Sequence, residues 1–154
     1  SEFTRKRCNM PSVAESLVDA VITHLDGLTL SMAFTPAKLL VPVYARDDLD
    51  ADELEVTAHA GPILRQRLTR GGICIKTYSV GLVIRYASDD PKADLETKAG
   101  ELQLLAEEIM DAMGSVSMAG KPLVEIEQDV PFDLGQVQHN GLMKSEITLR
   151  YKGF

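Results

Sequence analysis

Val13, Leu17, Val18, Val21, Ile22 and Leu25 recur at helical spacing in an otherwise polar segment and predict a first helix with one apolar face. Ser12 is placed as its N-cap, with Glu15 three residues on as a capping box, and Gly27 is placed to stop it. The period then shortens to two. Leu28, Leu30, Met32 and Phe34 alternate with small or polar residues, the pattern of a half-buried strand. Leu39 to Tyr44 is apolar and extended, but Pro42 has no N–H for a ladder, so this piece reads as an edge strand or a strap. Leu54 and Val56 mark a short strand ended by the Gly61-Pro62 turn signal.

Gly71-Gly72 opens the longest strand candidate, Ile73 to Ala87, where Val80, Leu82, Ile84 and Tyr86 alternate with Gly81, Val83 and Arg85. Ser88-Asp89-Asp90-Pro91 is both a turn and a helix start, with Asp90 as cap. Leu95, Ala99, Leu102, Leu105, Ala106, Ile109 and Met113 form the stripe of a second helix with an acidic opposite face, closed by Gly114. A strand over Pro122–Val130 sets Val124 and Ile126 on one face and Leu123, Glu125 and Glu127 on the other. After the Pro131–Gly141 loop, Met143, Ile147, Leu149 and Tyr151 alternate with charged residues. Together these elements predict an α+β fold, a mostly antiparallel sheet packed on one face by two helices. Residues 1–11 are expected as a flexible arm, with Ser1-Glu2-Phe3 reading as a cloning scar, and residues 12–154 as a single domain.

The chain has 154 residues, enough to bury roughly 69% of its unfolded surface around one core without staples. Hydrophobic residues make up 45% and charged residues 25%, which excludes a disordered chain. Trp is absent and aromatics are 5%, which argues against a base- or sugar-stacking surface. Cys8 and Cys74 are too few for a disulfide scaffold and read as free thiols of a reducing compartment. No stretch approaches the roughly 20 apolar residues of a membrane span. The basic start Arg5-Lys6-Arg7 lacks a following apolar core, so it is not a secretory signal.

The net charge is −7 and the pI about 4.9, a poor balance for gripping nucleic acid or an anionic membrane. That charge is segmented. Residues 45–60 carry −5, including Asp47, Asp48, Asp50 and Asp52; residues 61–88 carry +5 with no acid; residues 89–120 carry −6.

Candidate chemistry is sparse. His24, His59 and His139 lie far apart in sequence and read as surface residues, and no short Cys/His spacing suggests zinc. Asp48-Leu49-Asp50-Ala51-Asp52 begins like a calcium loop, but Glu53 and His59 occupy the positions that need Gly and Glu. There is no phosphate-binding glycine loop and no nucleophile elbow. Nothing places paired carboxylates in an apolar pocket, so an enzyme is not expected, nor a cofactor or a metal. Arg65, Arg67 and Arg70 leave three readings open: phosphate contact, a solvated connection between strands, or head-to-tail subunit pairing with an acidic segment such as Asp47–Asp52.

The order of elements resembles the tail terminator proteins of long-tailed bacteriophages and their head–tail joining and tail completion relatives. The likeness runs over about residues 12–153: a helix of the Ser12–Leu25 kind; a strand ending in Phe34; an extended Leu40-Val41-Pro42-Val43-Tyr44; the acidic link Asp47-Asp48-Leu49; and a short Leu54-Glu55-Val56 strand. An Arg-bearing segment, Arg65 to Arg70, then leads to a long strand beginning near Tyr78. Asp89 and Asp90 precede a long amphipathic helix, and two strands finish the chain. No catalytic residue defines that family. The resemblance implies a homo-oligomer, a hexameric ring on the head-proximal end of the tail tube of a virion, assembled in the bacterial cytoplasm, with a monomer before contact with the tube as the alternative free state. The ring would end tube polymerisation, offer the head connector a docking surface, and let genomic DNA pass through its lumen without sequence-specific binding. The rivals are a head completion or connector protein, another tail-tube component, or a small bacterial ligand-binding or regulatory domain with a pocket between helices and sheet.

Overall fold

Ser12 caps the first helix as its sequence predicts: its Oγ accepts from the Glu15 backbone N–H at 3.1 Å, satisfying one of the donors a helix start leaves open. In the computed structural model, which describes residues 12–39, 54–67, 70–87, 95–130 and 142–153, this helix is α1 (Val13–Asp26). It is followed by β1 (Ala37–Lys38), β2 (Leu54–Arg67), β3 (Cys74–Ala87), α2 (Leu95–Met113), β4 (Leu123–Val130) and β5 (Leu142–Gly153). The strands form one sheet in the order β1-β2-β3-β5-β4, antiparallel except for the short β1–β2 pair. The α+β class, with a mostly antiparallel sheet and two helices, is as the sequence predicts.

Period decides what is buried. Leu17, Val18, Val21 and Leu25 of α1, and Leu105, Ala106, Ile109 and Met113 of α2, close over one sheet face made by Val56, Ala58, Val80, Leu82, Ile84, Ile147, Leu149 and Tyr151. Both helices therefore cover the same face. Val13, expected in the α1 stripe, is 43% exposed because it starts the first turn, ahead of the packed sheet.

Four expectations need correction. Leu28–Phe34 is not a strand: its alternate side chains pack half-buried on the core, but its backbone joins no ladder among the described residues. The alternation reported a half-buried segment, and the pairing falls instead to Ala37 and Lys38, against Thr57 and Ala58. Of the expected Leu39–Tyr44 strand, Leu39 is described, and its N–H donates to the Ala58 carbonyl at 2.9 Å.

Second, Gly61-Pro62 does not end its strand. β2 runs on to Arg67, with a bulge between Ala60 and Ile63. The bulge takes Pro62 out of the ladder, where its missing N–H would otherwise break a bond. Gly61 lies close over Ser79, where a Cβ would meet the Ser79 Cβ at 3.0 Å.

Third, β4 does not alternate as its sequence suggests. A register shift between Leu123 and Glu125 puts Leu123 and Ile126 against the core and leaves Val124 53% exposed. Fourth, the α2 face toward the sheet is not wholly apolar. The Gln103 and Gln128 amides bond each other reciprocally at 3.1 Å, and Gln128 Nε2 also donates to Ser145 Oγ at 2.7 Å. This network ties α2 to β4 and β5. Asp90, the expected cap of α2, lies outside the described residues; Gly114 closes the helix, its N–H donating to the Met110 carbonyl at 2.9 Å.

Candidate functional site

β2 and β3 are each 14 residues long and pair from Leu54↔Tyr86 to Arg67↔Cys74. The main core cluster does not reach that far, although Ile75 is itself buried. Tyr78 is the last residue of this hairpin in the main cluster, and every β2 residue from Pro62 to Arg67 is exposed. β5 accompanies β3 as far as Lys76, and β1 covers β2 at Thr57 and Ala58. Beyond these limits the hairpin is a two-stranded arm among the described residues. Its outer β2 edge offers backbone groups with no ladder partner there. Gly72, at φ +91°, makes the turn in a region that L side chains rarely adopt.

Register puts Ile63, Arg65 and Arg67 on one face of the arm, opposite Tyr78, Lys76 and Cys74. Arg65 thus sits directly across from Lys76. Like charges in that position destabilise a strand pair, here at the end of the β5 ladder, where Lys76 still pairs with Gly153. Arg65, Arg67, Arg70 and Lys76 form no ion pair among the described residues, while Ile63, Leu64 and Ile73 are 50%, 56% and 57% exposed. Basic and apolar side chains are thus exposed together on the arm.

The fifth cation of the basic segment has a different role. Arg85 is buried, and its Nε and Nη2 donate to Glu55 Oε1 at 3.0 and 2.6 Å on the face away from the helices. One acid of the 45–60 segment therefore neutralises one cation of the 61–88 segment inside the fold. Asp47, Asp48, Asp50 and Asp52 lie outside the described residues. Arg65 and Arg67 come together on β2, and Arg70 lies exposed in the turn.

Acidic surface is available elsewhere. The α2 face turned from the sheet carries Glu101, Glu107 and Asp111 around Leu104, which is 50% exposed. Glu101 is paired with Lys98 at 3.2 Å, and Glu108 accepts from the Ser31 N–H at 3.0 Å. Glu107 and Asp111 have no ion pair among the described residues. On β4, Arg150 holds Glu125 and Glu127 at 3.1 and 3.4 Å, so those charges are largely compensated.

The remaining chemistry is dispersed. His59, expected at the surface, is half-buried with its imidazole against Gly81, where a Cβ would sit 2.5 Å from Cε1 and Nε2. Burial lowers its pKa from the ordinary 6.5; Glu146 opposes the shift and Lys144 adds to it. His24 is half-buried too, and His139 and Cys8 lie outside the described residues. Cys74, on the arm, is a free thiol. Among the described residues no group of three or more His, Cys, Asp or Glu could hold a metal ion, and no helix is long and apolar enough to cross a membrane.

Two small clefts are formed by described residues. One of about 190 Å³ lies between Ser12, Glu15 and Val18 of α1 and Lys38, Leu39 and Ala60. The other, about 170 Å³, runs along Leu28–Phe34. The first thus lies between a helix and the β1–β2 edge of the sheet. No family model and no curated protein matches the sequence.

Proposed function

We propose that this chain is a non-enzymatic assembly subunit of the tail terminator type. In this reading it closes into a homo-oligomeric, hexameric ring on the head-proximal end of a phage tail tube. It stops tube growth there and presents a docking surface to the head connector, in the bacterial cytoplasm during assembly and in the virion afterwards. The observation that carries an assembly role is the β2–β3 arm, whose cations form no ion pair among the described residues and whose apolar side chains are exposed. The phage setting rests on the resemblance in element order. That order departs from expectation at Leu28–Phe34, which is no strand, and at β2, which is long. The acidic remainder of the molecule supports a lumen through which DNA slides without adhering.

The test is tube growth. Tail-tube protein polymerising in the presence of the chain is expected to give short tubes capped at one end, seen by negative stain. Tubes that grow to the same length with and without it contradict the reading.

A further inference from the structure

The assembly reading leaves open which surface of a neighbouring copy receives the arm. We propose that it is the outer face of α2. The basic face of the arm in one copy lies along that helix in a second copy, with Ile63 against Leu104, Arg65 at Glu107 and Arg67 at Asp111. This rests on the assembly reading and names the contact within it.

Spacing supports the match. Along a strand, alternate residues advance about 6.7 Å, so Ile63, Arg65 and Arg67 span about 13 Å. Along a helix at 1.5 Å per residue, Leu104, Glu107 and Asp111 span about 10 Å. Arginine side chains cover the difference of about 3 Å. Each surface therefore offers one exposed apolar residue followed by two charges, and the signs are opposite. Glu107 and Asp111 are exposed and without an ion pair among the described residues, as are Arg65 and Arg67. β4 is the weaker candidate, because Arg150 already occupies its acids and two register shifts disrupt its pairing.

Both surfaces face solvent in the single chain, so the contact is made between copies. It is heterologous, the kind that closes into a ring or runs on as a filament. The arm tip is smaller than the roughly 1,200–2,000 Å² of a stable pair interface. One contact alone is therefore weak, and ring closure, which gives every subunit two, is what stabilises the assembly.

Two charge reversals test this. R65E/R67E makes the arm acidic, and E107R/D111R makes the α2 face basic. Each alone sets like charges against one another and is expected to weaken self-association by about 100-fold. Mixed in equal amounts, the two variants regain complementary contacts in both directions, so sedimentation velocity is expected to show the large species again, in strict alternation. All proteins are checked for parental circular dichroism and melting midpoint.

Folded variants that do not reassociate on mixing, or either variant assembling alone as well as the parent, overturn the docking surface while the ring reading stands. A parent chain that stays monomeric at low salt up to its solubility limit also overturns the docking surface, and tube growth then decides the ring reading. A salt-sensitive DNA shift lost in R65E/R67E, with self-association unchanged, makes the arm a phosphate-binding element and also overturns the proposal.

Discussion

At Tyr151 the sheet buries a phenol completely, and its hydroxyl meets no hydrogen-bond partner among the described residues. A buried, unpaired hydroxyl costs about 1–3 kcal/mol, so Tyr151→Phe is expected to leave stability unchanged or raise it by about 1 kcal/mol in urea melts. Burial also pushes the Tyr151 pKa up to about 12 from the ordinary 10. The folded state then holds this proton where the unfolded chain has lost it. Stability is full below pH 10 and falls between pH 10 and about 12, a loss that Tyr151→Phe should remove. His59 works in the opposite sense at the acid end. Its folded pKa lies below 6.5, so the unfolded chain binds the proton first, and stability falls as pH drops below 6.5. His59→Gln is expected to flatten the stability–pH curve there; an unchanged slope would place the titration elsewhere. Neither feature was legible in the sequence. Tyr151 and His59 each sit in an alternating run, and what decides their burial is the residue opposite, Tyr78 and Gly81, which depends on register.

At the scale of elements, both helices were legible because their stripes are long, with Ser12 capping the first and Gly114 closing the second, and β3 and β5 because their alternation is sustained. The failures share one cause. A local breaker or alternation shows what a segment tolerates, while pairing depends on a distant strand. Gly61-Pro62 looked like an end and is a bulge, because β3 continues opposite it. Leu28–Phe34 looked like a strand and joins no ladder among the described residues, because the β2 edge is taken by Ala37 and Lys38. Val124 looked buried and is exposed, because the ladder slips one residue. The arm tests this level directly. Gly72→Ala places a Cβ at φ +91° in open space, so the penalty is backbone strain of about 1–2 kcal/mol. Amide hydrogen exchange is expected to quicken in the arm beyond Lys76, at Gln66, Arg67, Cys74 and Ile75, while the body keeps its protection. Uniform acceleration across the body would show that the arm is not a separate unit.

At the scale of the whole molecule, the candidate site was half legible. The charge segmentation pointed to Arg65, Arg67 and Arg70, and these residues lie exposed on the β2–β3 arm and its turn. The sequence could not show that Arg85 of the same segment is consumed by Glu55, nor that Glu107 and Asp111 flank an exposed leucine without an ion pair among the described residues. The chain thus carries two separate surfaces of opposite sign, the condition for head-to-tail assembly. The most direct test of that claim is the native mass of the wild-type chain by light scattering over concentration and salt, with negative-stain images of any large species. The account predicts a hexameric ring with a central hole, dissociating as salt rises. A single species of monomer mass under every condition, with no ring in the images, would contradict it.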